Sequence, residues 1–482
     1  MPQDLRSSSH GSTGSSSSRQ ELGSAPVAIS GGWTVSQRIG EASRPDNADM
    51  ITAVEYDRYG DYIATGTKGG QIAVYTKDVN AQQQGRLTRS FQSHDHSQNR
   101  YAPYKSFQSH KAEFDYLKSL EIEEKINQIR WCRPSNDALY LLSTNDKTIK
   151  LWRLHNREVR TVQQFQHPAN TYGDVIRLPT LNKAPPVAVA TTKKVFANAH
   201  TYHINSIALN SDGETFISAD DLRINLWHLG VSDQSFNIVD IKPNNMEELT
   251  EVITSADFHP THCNIMMYST SRGAVKLGDM RTSALCDSHS KLFEDQEDPA
   301  ARSFFSEIIA SISDIKFSPD GRYIISRDYL TLKIWDINME SRPVHTINIH
   351  EHLRPRLCEL YDTDCIFDKF ECSVSGDGNN FVTGSYNSEF HIYDRYGRSD
   401  YCLNPLSNAG RRRSSAPHTA ISRALATGTA DGDPLDFTSK VLQTTWHPTT
   451  NEVAVAIKNN VYLYSAKQDA HPSMVAVKNS KK

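Results

Sequence analysis

YLLSTNDKTIKLWRL, Tyr140–Leu154, decides the fold. YLLSTN is an apolar run rich in β-formers, Asn145-Asp146-Lys147 is a polar turn signal, and TIKLW alternates small polar with large apolar residues up to Trp152. This is a two-strand hairpin with a short turn. Asp146 in the turn and Trp152 on the second strand match the closing half of a WD repeat. One such hairpin cannot bury its own apolar face, so it requires neighbours of the same kind.

The neighbours are present. The full unit begins one strand earlier, at Ile126, and similar units start at Ile51, Ile204, Val252, Ile312, Phe367 and Val441. Each reads strand, Pro/Gly/Asp turn, strand, short turn, strand. The first turns include Tyr59-Gly60-Asp61, Asp212-Gly213, His259-Pro260, Pro319-Asp320-Gly321, Asp377-Gly378 and His447-Pro448. Glycine supplies φ > 0 and proline presets φ at such turns. The closing aromatic recurs as Tyr75, Trp152, Trp227, Trp335, Tyr393 and Tyr464; the fourth copy has Gly278 in its place. Seven copies predict an all-β fold, a seven-bladed WD-repeat β-propeller over 33–466. Trp33-Thr34-Val35, the first apolar segment, is the expected strand that completes the last blade.

Composition narrows the function class. The net charge of −4 gives no global attraction to nucleic acid or a membrane, and no apolar run is long enough to span one. The N-terminus lacks the apolar core of a secretory signal. Seven scattered cysteines without a CxxC motif read as reduced thiols of an intracellular protein, and the expected location is the cytoplasm, with the nucleus as a second. Residues 1–32 are a Ser/Gly-rich tail expected to be disordered, and 467–482 form a polar C-terminal tail.

Blades often run about 40–45 residues, and three intervals here are longer. They are inflated by Gln82–Glu124, Asn156–Tyr202 and Arg395–Lys440. Within the second, at about 156–202, Asp174–Leu181 and Val187–Phe196 read as two strands joined by Lys183-Ala184-Pro185-Pro186, a hairpin arm leaving the ring. Exposed Val175, Ile176 and Leu178 would then require a covering partner. In the third, about 398–434 reads as a disordered loop around Arg411–Ser415, a candidate localisation or phosphorylation segment; the plainer reading is a solvated charge run.

Longer stretches carry a specific resemblance. Phe107–Trp131, Val195–Trp227, Ser235–Thr254, Arg302–Ser318 and Tyr361–Cys372 together resemble the WD-repeat regulatory B subunit of protein phosphatase 2A. The match runs from Trp33 to Ser465, with the first 32 residues, the interior of the second insertion and the Arg411 loop departing from it. The resemblance implies a heterotrimer with a helical-repeat scaffold subunit and a metal-dependent Ser/Thr phosphatase catalytic subunit. It implies scaffold docking by the hairpin arm, through Val175, Ile176, Leu178, Val187, Val189, Lys193 and Lys194. It also implies recruitment of phosphoprotein substrates by the ring's top face. The family's substrate groove maps to Lys68, Glu121, Glu123, Glu124, Asp221, Glu247, Leu249, Phe305, Tyr361, Asp364, Phe367 and Lys369, with one groove acid replaced near Asn47.

The residues alone point the same way. Glu121, Glu123, Glu124, Asp220, Asp221, Glu247, Glu248, Glu251, Asp362, Asp364 and Asp368 all fall in turns or connectors, which a ring can bring to one face. A concave acidic face attracts substrates with basic segments. The alternatives are ordinary solvated charge, a structural turn role for Asp221, and core positions for Phe305 and Phe367. No Cys-x5-Arg loop, metallophosphatase motif or GxxxxGK[ST] occurs; Gly66–Gly70 is a hairpin turn, and His259-Pro-Thr-His262-Cys263 is a blade turn rather than a metal cluster. The expectation is a non-catalytic regulatory subunit without a cofactor. The alternative is a WD-repeat substrate receptor or scaffold of another complex, such as a ubiquitin ligase.

Overall fold

The computed structural model describes residues 32–40, 46–78, 100–116, 119–134, 138–163, 180–283, 285–288, 290–295, 303–397, 399–406 and 436–466. Seven four-stranded antiparallel sheets follow one another along the chain as the blades of a propeller. Blade 1 runs from Ile51–Tyr56 through Tyr62–Thr67 and Gln71–Lys77 to Tyr101–Gln108. Blades 2 to 6 repeat that inner-to-outer order. Blade 7 borrows its outer strand: Trp33–Ile39 pairs with Asn460–Ala466, from Trp33↔Ala466 to Ile39↔Val461, and so closes the ring.

The core lies between blades. Val382, Phe390 and Ile392 of blade 6 pack against Trp446, Val453 and Val455 of blade 7, with Trp33 capping the cluster. Burying one such side chain contributes about 1.5–3 kcal/mol, and no blade can bury its faces alone. The missing aromatic of blade 4 has a physical reason. A Cβ on Gly278 would stand 3.1 Å from Cβ of Cys286, which fills the slot.

Short polar networks fix blades 2, 3 and 5 internally, through Trp152, Trp227 and Trp335. In blade 3, Trp227 Nε1 donates to Ser218 Oγ at 2.8 Å, the same oxygen meets His200 Nε2 at 2.6 Å, and His200 Nδ1 meets Asp220 Oδ2 at 2.9 Å. Histidine turns tie blades together on the opposite side of the ring. His447 Nδ1 accepts from the backbone N–H groups of Thr449 and Thr450, while Nε2 meets the Gly60 carbonyl at 3.2 Å. His259 does the same toward Gly321. The His-Pro-Thr-His-Cys stretch is thus a blade turn, as its sequence position indicates.

Two boundaries differ from the sequence reading. The partner of Val187–Phe196 is not Asp174–Leu181. Instead, Thr180–Phe196 is one continuous strand, paired with an equally extended third strand, Ile149–Gln163. Lys183 and Ala184 sit inside that strand, opposite Arg160 and Val159, and the Pro-Pro pair falls at a register shift. Proline has no N–H to donate, so it disturbs the ladder there and mimics a turn in the sequence. The second difference is in blade 6, whose outer strand Asp400–Leu403 lies inside the segment read as a loop from about 398. Arg411–Ser415, Val175, Ile176, Leu178, residues 1–31 of the N-terminal tail and the C-terminal tail lie outside the described residues.

Candidate recognition face

One face of the ring is built from two kinds of segment. The turn between the second and third strands of each blade meets the connector entering the next blade. Ile126 N–H donates to Thr67 O at 3.2 Å, Ile204 N–H to Asp146 O at 2.9 Å, Ile253 N–H to Asp221 O at 2.7 Å, and Val441 N–H to Ser385 O at 2.9 Å. Every one of the twelve groove residues expected from sequence lies in such a turn or connector.

Lys68 is half-buried in the blade 1 turn, its N–H bonded to Met50 O. That turn also approaches Glu124, whose carbonyl would stand 2.8 Å from a Cβ on Gly70. Glu121 is exposed on a small hairpin of Glu113–Asp115 and Leu120–Ile122, opposite Phe114. Glu123 is held through its carbonyl, which accepts from Asn145 Nδ2 at 3.0 Å, leaving its side chain exposed. Glu247 is exposed on the 3-10 turn Met246–Glu248, capped by the side chain of Asn245; Leu249 follows it, half-buried. Asp364 is exposed with φ at 58°, and Lys369 is exposed nearby in sequence.

Adjacent aspartates divide two roles. Asp220 is 0% exposed, and its Oδ1 accepts from the N–H groups of Leu222 and Arg223 at 2.8 and 2.7 Å. Burial alone would raise its pKa, but His200 and these N–H groups outweigh that and hold it low. Asp220 is therefore the structural turn aspartate, and Asp221 is spared that task. Burial raises the Asp221 carboxyl, while Lys369, His203 and Lys147 act in the opposite direction. Lys369 comes from the connector before blade 6, so side chains from distant blades share one field here. Asp368, in contrast, is withdrawn from the surface: it pairs with Lys440 Nζ and accepts from Tyr386 Oη at 3.0 Å.

Aromatic side chains join the acids. Phe305 lies 6.0 Å from Tyr361, and Tyr361 lies 6.0 Å from Phe367, ring centre to ring centre. Phe304 extends the cluster, 5.2 Å from Phe305 and 5.8 Å from Tyr361. Phe304 is 71% exposed, Phe367 55% and Tyr361 40%, so these three are surface, whereas Phe305 is half-buried against the core around Ile309 and Leu360. Sequence reasoning misses Phe304; the available signal is the Phe-Phe pair itself, of which only the second member matches the groove.

A cavity of about 400 Å³ is lined by residues of several blades, among them Glu55, Arg130, Asp257, Lys316 and Glu371. Arg130 pairs with Glu55, and Lys316 Nζ pairs with Asp314 Oδ1 at 2.8 Å. Burial, with Asp314 beside it, pushes Glu371 up to about 7. Glu371 accepts from Gln443 Nε2 at 3.0 Å, and Asp257 accepts from the Phe258 N–H at 2.9 Å.

The hairpin leaves from the other end of blade 2. Residues Ile149–Leu154 of its third strand pair on both sides, but from His155 to Gln163 the pairing is with Thr180–Val189 alone. The third strand starts at the recognition face, so this extension runs toward the opposite one. Val187 is 50% exposed there. Val189, Lys193 and Lys194 lie closer to the ring, with Val189 opposite His155, Lys194 opposite Leu151, and Lys193 at a register shift. No helix among the described residues is long and apolar enough to cross a membrane.

Fold and repeats define the class: a seven-bladed WD-repeat propeller. A family model described as WD domain, G-beta repeat, matches residues 191–228 and 306–336. Among solved structures, the Cps50 β-propeller domain of Myceliophteria thermophila matches with a TM-score of 0.53 at 11% identity, covering 90% of this chain and 100% of that one. That likeness concerns the fold alone. Sequence relatives are more specific. A serine/threonine-protein phosphatase 2A regulatory subunit of Dictyostelium discoideum is 47% identical, with 91% of this chain and 99% of the relative covered. A regulatory B subunit of protein phosphatase PP2A from Schizosaccharomyces pombe is 50% identical, with 90% and 97% covered. The beta isoform of a 55 kDa regulatory B subunit of serine/threonine protein phosphatase 2A from Arabidopsis thaliana is 48% identical over similar spans. The chain belongs to the family of protein phosphatase 2A regulatory B subunits, and its role is regulatory.

Proposed function

We propose that this chain recruits phosphoprotein substrates to a phosphatase 2A heterotrimer. The observation that carries the reading is the composition of one face, where Glu121, Glu123, Asp221, Glu247 and Asp364 accompany the aromatic cluster of Phe304, Phe305, Tyr361 and Phe367. Acids attract basic segments and speed encounter, and aromatic rings supply desolvated anchors. The extension of blade 2 docks on the scaffold subunit from the opposite side, with Val187 in the contact. Catalysis belongs to the partner: holding a substrate near that active site raises its effective concentration without new chemistry in this chain.

The test is Asp221→Lys. An exposed pair is worth only about 0.2–1 kcal/mol, but the substitution replaces attraction by repulsion. Affinity for a phosphoprotein with a basic segment should fall at least tenfold, about 1.4 kcal/mol. Assembly with scaffold and catalytic subunits should be retained. The loss should shrink at high salt, since exposed charges are screened within about 10 Å at 0.1 M. Affinity that is unchanged at low salt contradicts the acidic groove.

A further inference from the structure

Blade 6 carries a side-chain cluster that the regulatory role does not use. Its third strand, Phe390–Asp394, pairs with its outer strand, Asp400–Leu403, and His391 stands directly opposite Cys402. Glu389 lies just before the third strand, and its carboxylate joins the same cluster. One donor atom from each of Glu389, His391 and Cys402 lies within 4.8 Å of the others. Cys402 Sγ is 3.4 Å from Glu389 Oε2.

A second observation concerns the imidazole. His391 is 8% exposed, and its Nδ1 is buried without a hydrogen-bond partner. Leaving a buried nitrogen unpaired is unfavourable, so such an atom points to a ligand. The ring is held flat against Tyr393, 5.7 Å away at an interplanar angle of 9°. Asp400 Oδ1 lies 3.7 Å from the same Nδ1, too far to be its hydrogen-bond partner.

We propose that Glu389, His391 and Cys402 form a zinc-binding site that clasps the third and outer strands of blade 6. Thiolate, imidazole and carboxylate are the ligand types zinc accepts, and the two anionic donors balance its charge. Tetrahedral zinc with bonds of about 2.0–2.3 Å sets its donors about 3.4–3.8 Å apart, a contraction of roughly 1 Å from the observed spread. Binding displaces the thiol proton of Cys402 to solvent, and a water completes the shell. The competing arrangement is a thiol hydrogen-bonded to a carboxylate, with no metal.

The probe is Zn²⁺ alone, added to the full-length chain after chelation, with Co²⁺ as its spectroscopic substitute. Expected are one metal per chain and a thiolate-to-cobalt charge-transfer band. Cys402→Ser should remove the band. Cys402→Ser and Glu389→Gln should each weaken zinc binding at least tenfold while circular dichroism stays native. As an independent reading on the unsubstituted chain, zinc should slow alkylation of Cys402 at least tenfold, measured by mass spectrometry. Absence of stoichiometric binding, binding unaffected by both substitutions, or alkylation of Cys402 indifferent to zinc would each overturn the site.

Discussion

Asp220 and Asp221 are neighbours in sequence with opposite tasks, and substitution should separate them. Asp220→Ala strands the buried His200 and the N–H groups of Leu222 and Arg223. Removing one partner of a buried, hydrogen-bonded charge costs about 2–4 kcal/mol, so the melting temperature should fall sharply. Asp221→Ala should leave melting nearly unchanged. Equal effects of the two substitutions would refute the division. His447 offers a second measurement at this scale. Burial lowers its pKa to about 4, so it is neutral in the fold at pH 7. The unfolded chain protonates it below about 6.5. The stabilising contribution is therefore complete above pH 6.5 and declines as pH falls toward 4. His447→Asn keeps an acceptor for the turn N–H groups but does not titrate. The stability advantage of wild type over this variant should narrow by about 2–3 kcal/mol between pH 7 and 4.5. A constant gap across that range would contradict the assignment.

At the scale of elements, the blade 2 extension is the informative case. Its inner part is the blade's own outer strand, so removing Asp174–Lys194 would expose the third strand and destabilise the ring. Replacing Glu158–Ala184 with a short Gly-Ser turn leaves Ile149–Leu154 paired with its outer strand. That variant should keep native circular dichroism and melting but lose scaffold binding in a pull-down; retained binding would count against docking by this element. The layout is not legible in the sequence for a physical reason. Pairing of Ile149–Gln163 with Thr180–Phe196 is set by register between segments far apart in the chain, whereas Pro185-Pro186 imitates a local turn. Blade turns are legible because Gly and Pro act locally. Asp220 and Asp221 cannot be told apart there, because which one turns inward depends on a histidine brought from the preceding connector. The blade 6 cluster is equally hidden, since His391 and Cys402 meet only through cross-strand register.

The whole molecule carries two separated surfaces on one ring. Seven copies of one unit place their entering connectors on a single face, and that face collects acids and aromatics from several blades. The opposite direction is served by the long hairpin of blade 2. Ring closure by Trp33–Ile39 links the chain's first and last strands, so both surfaces keep a fixed relation. The proposed role is delivery of substrates to a phosphatase carried by other subunits. The most direct measurement mixes the purified chain with phosphatase 2A scaffold and catalytic subunits, isolates the complex by size exclusion, and follows dephosphorylation of a basic phosphoprotein. The expected result is a 1:1:1 complex that dephosphorylates this substrate faster than the scaffold–catalytic pair alone. The isolated chain should release no phosphate. A chain that elutes apart from the pair, or partners with cullin adaptors instead, would contradict it.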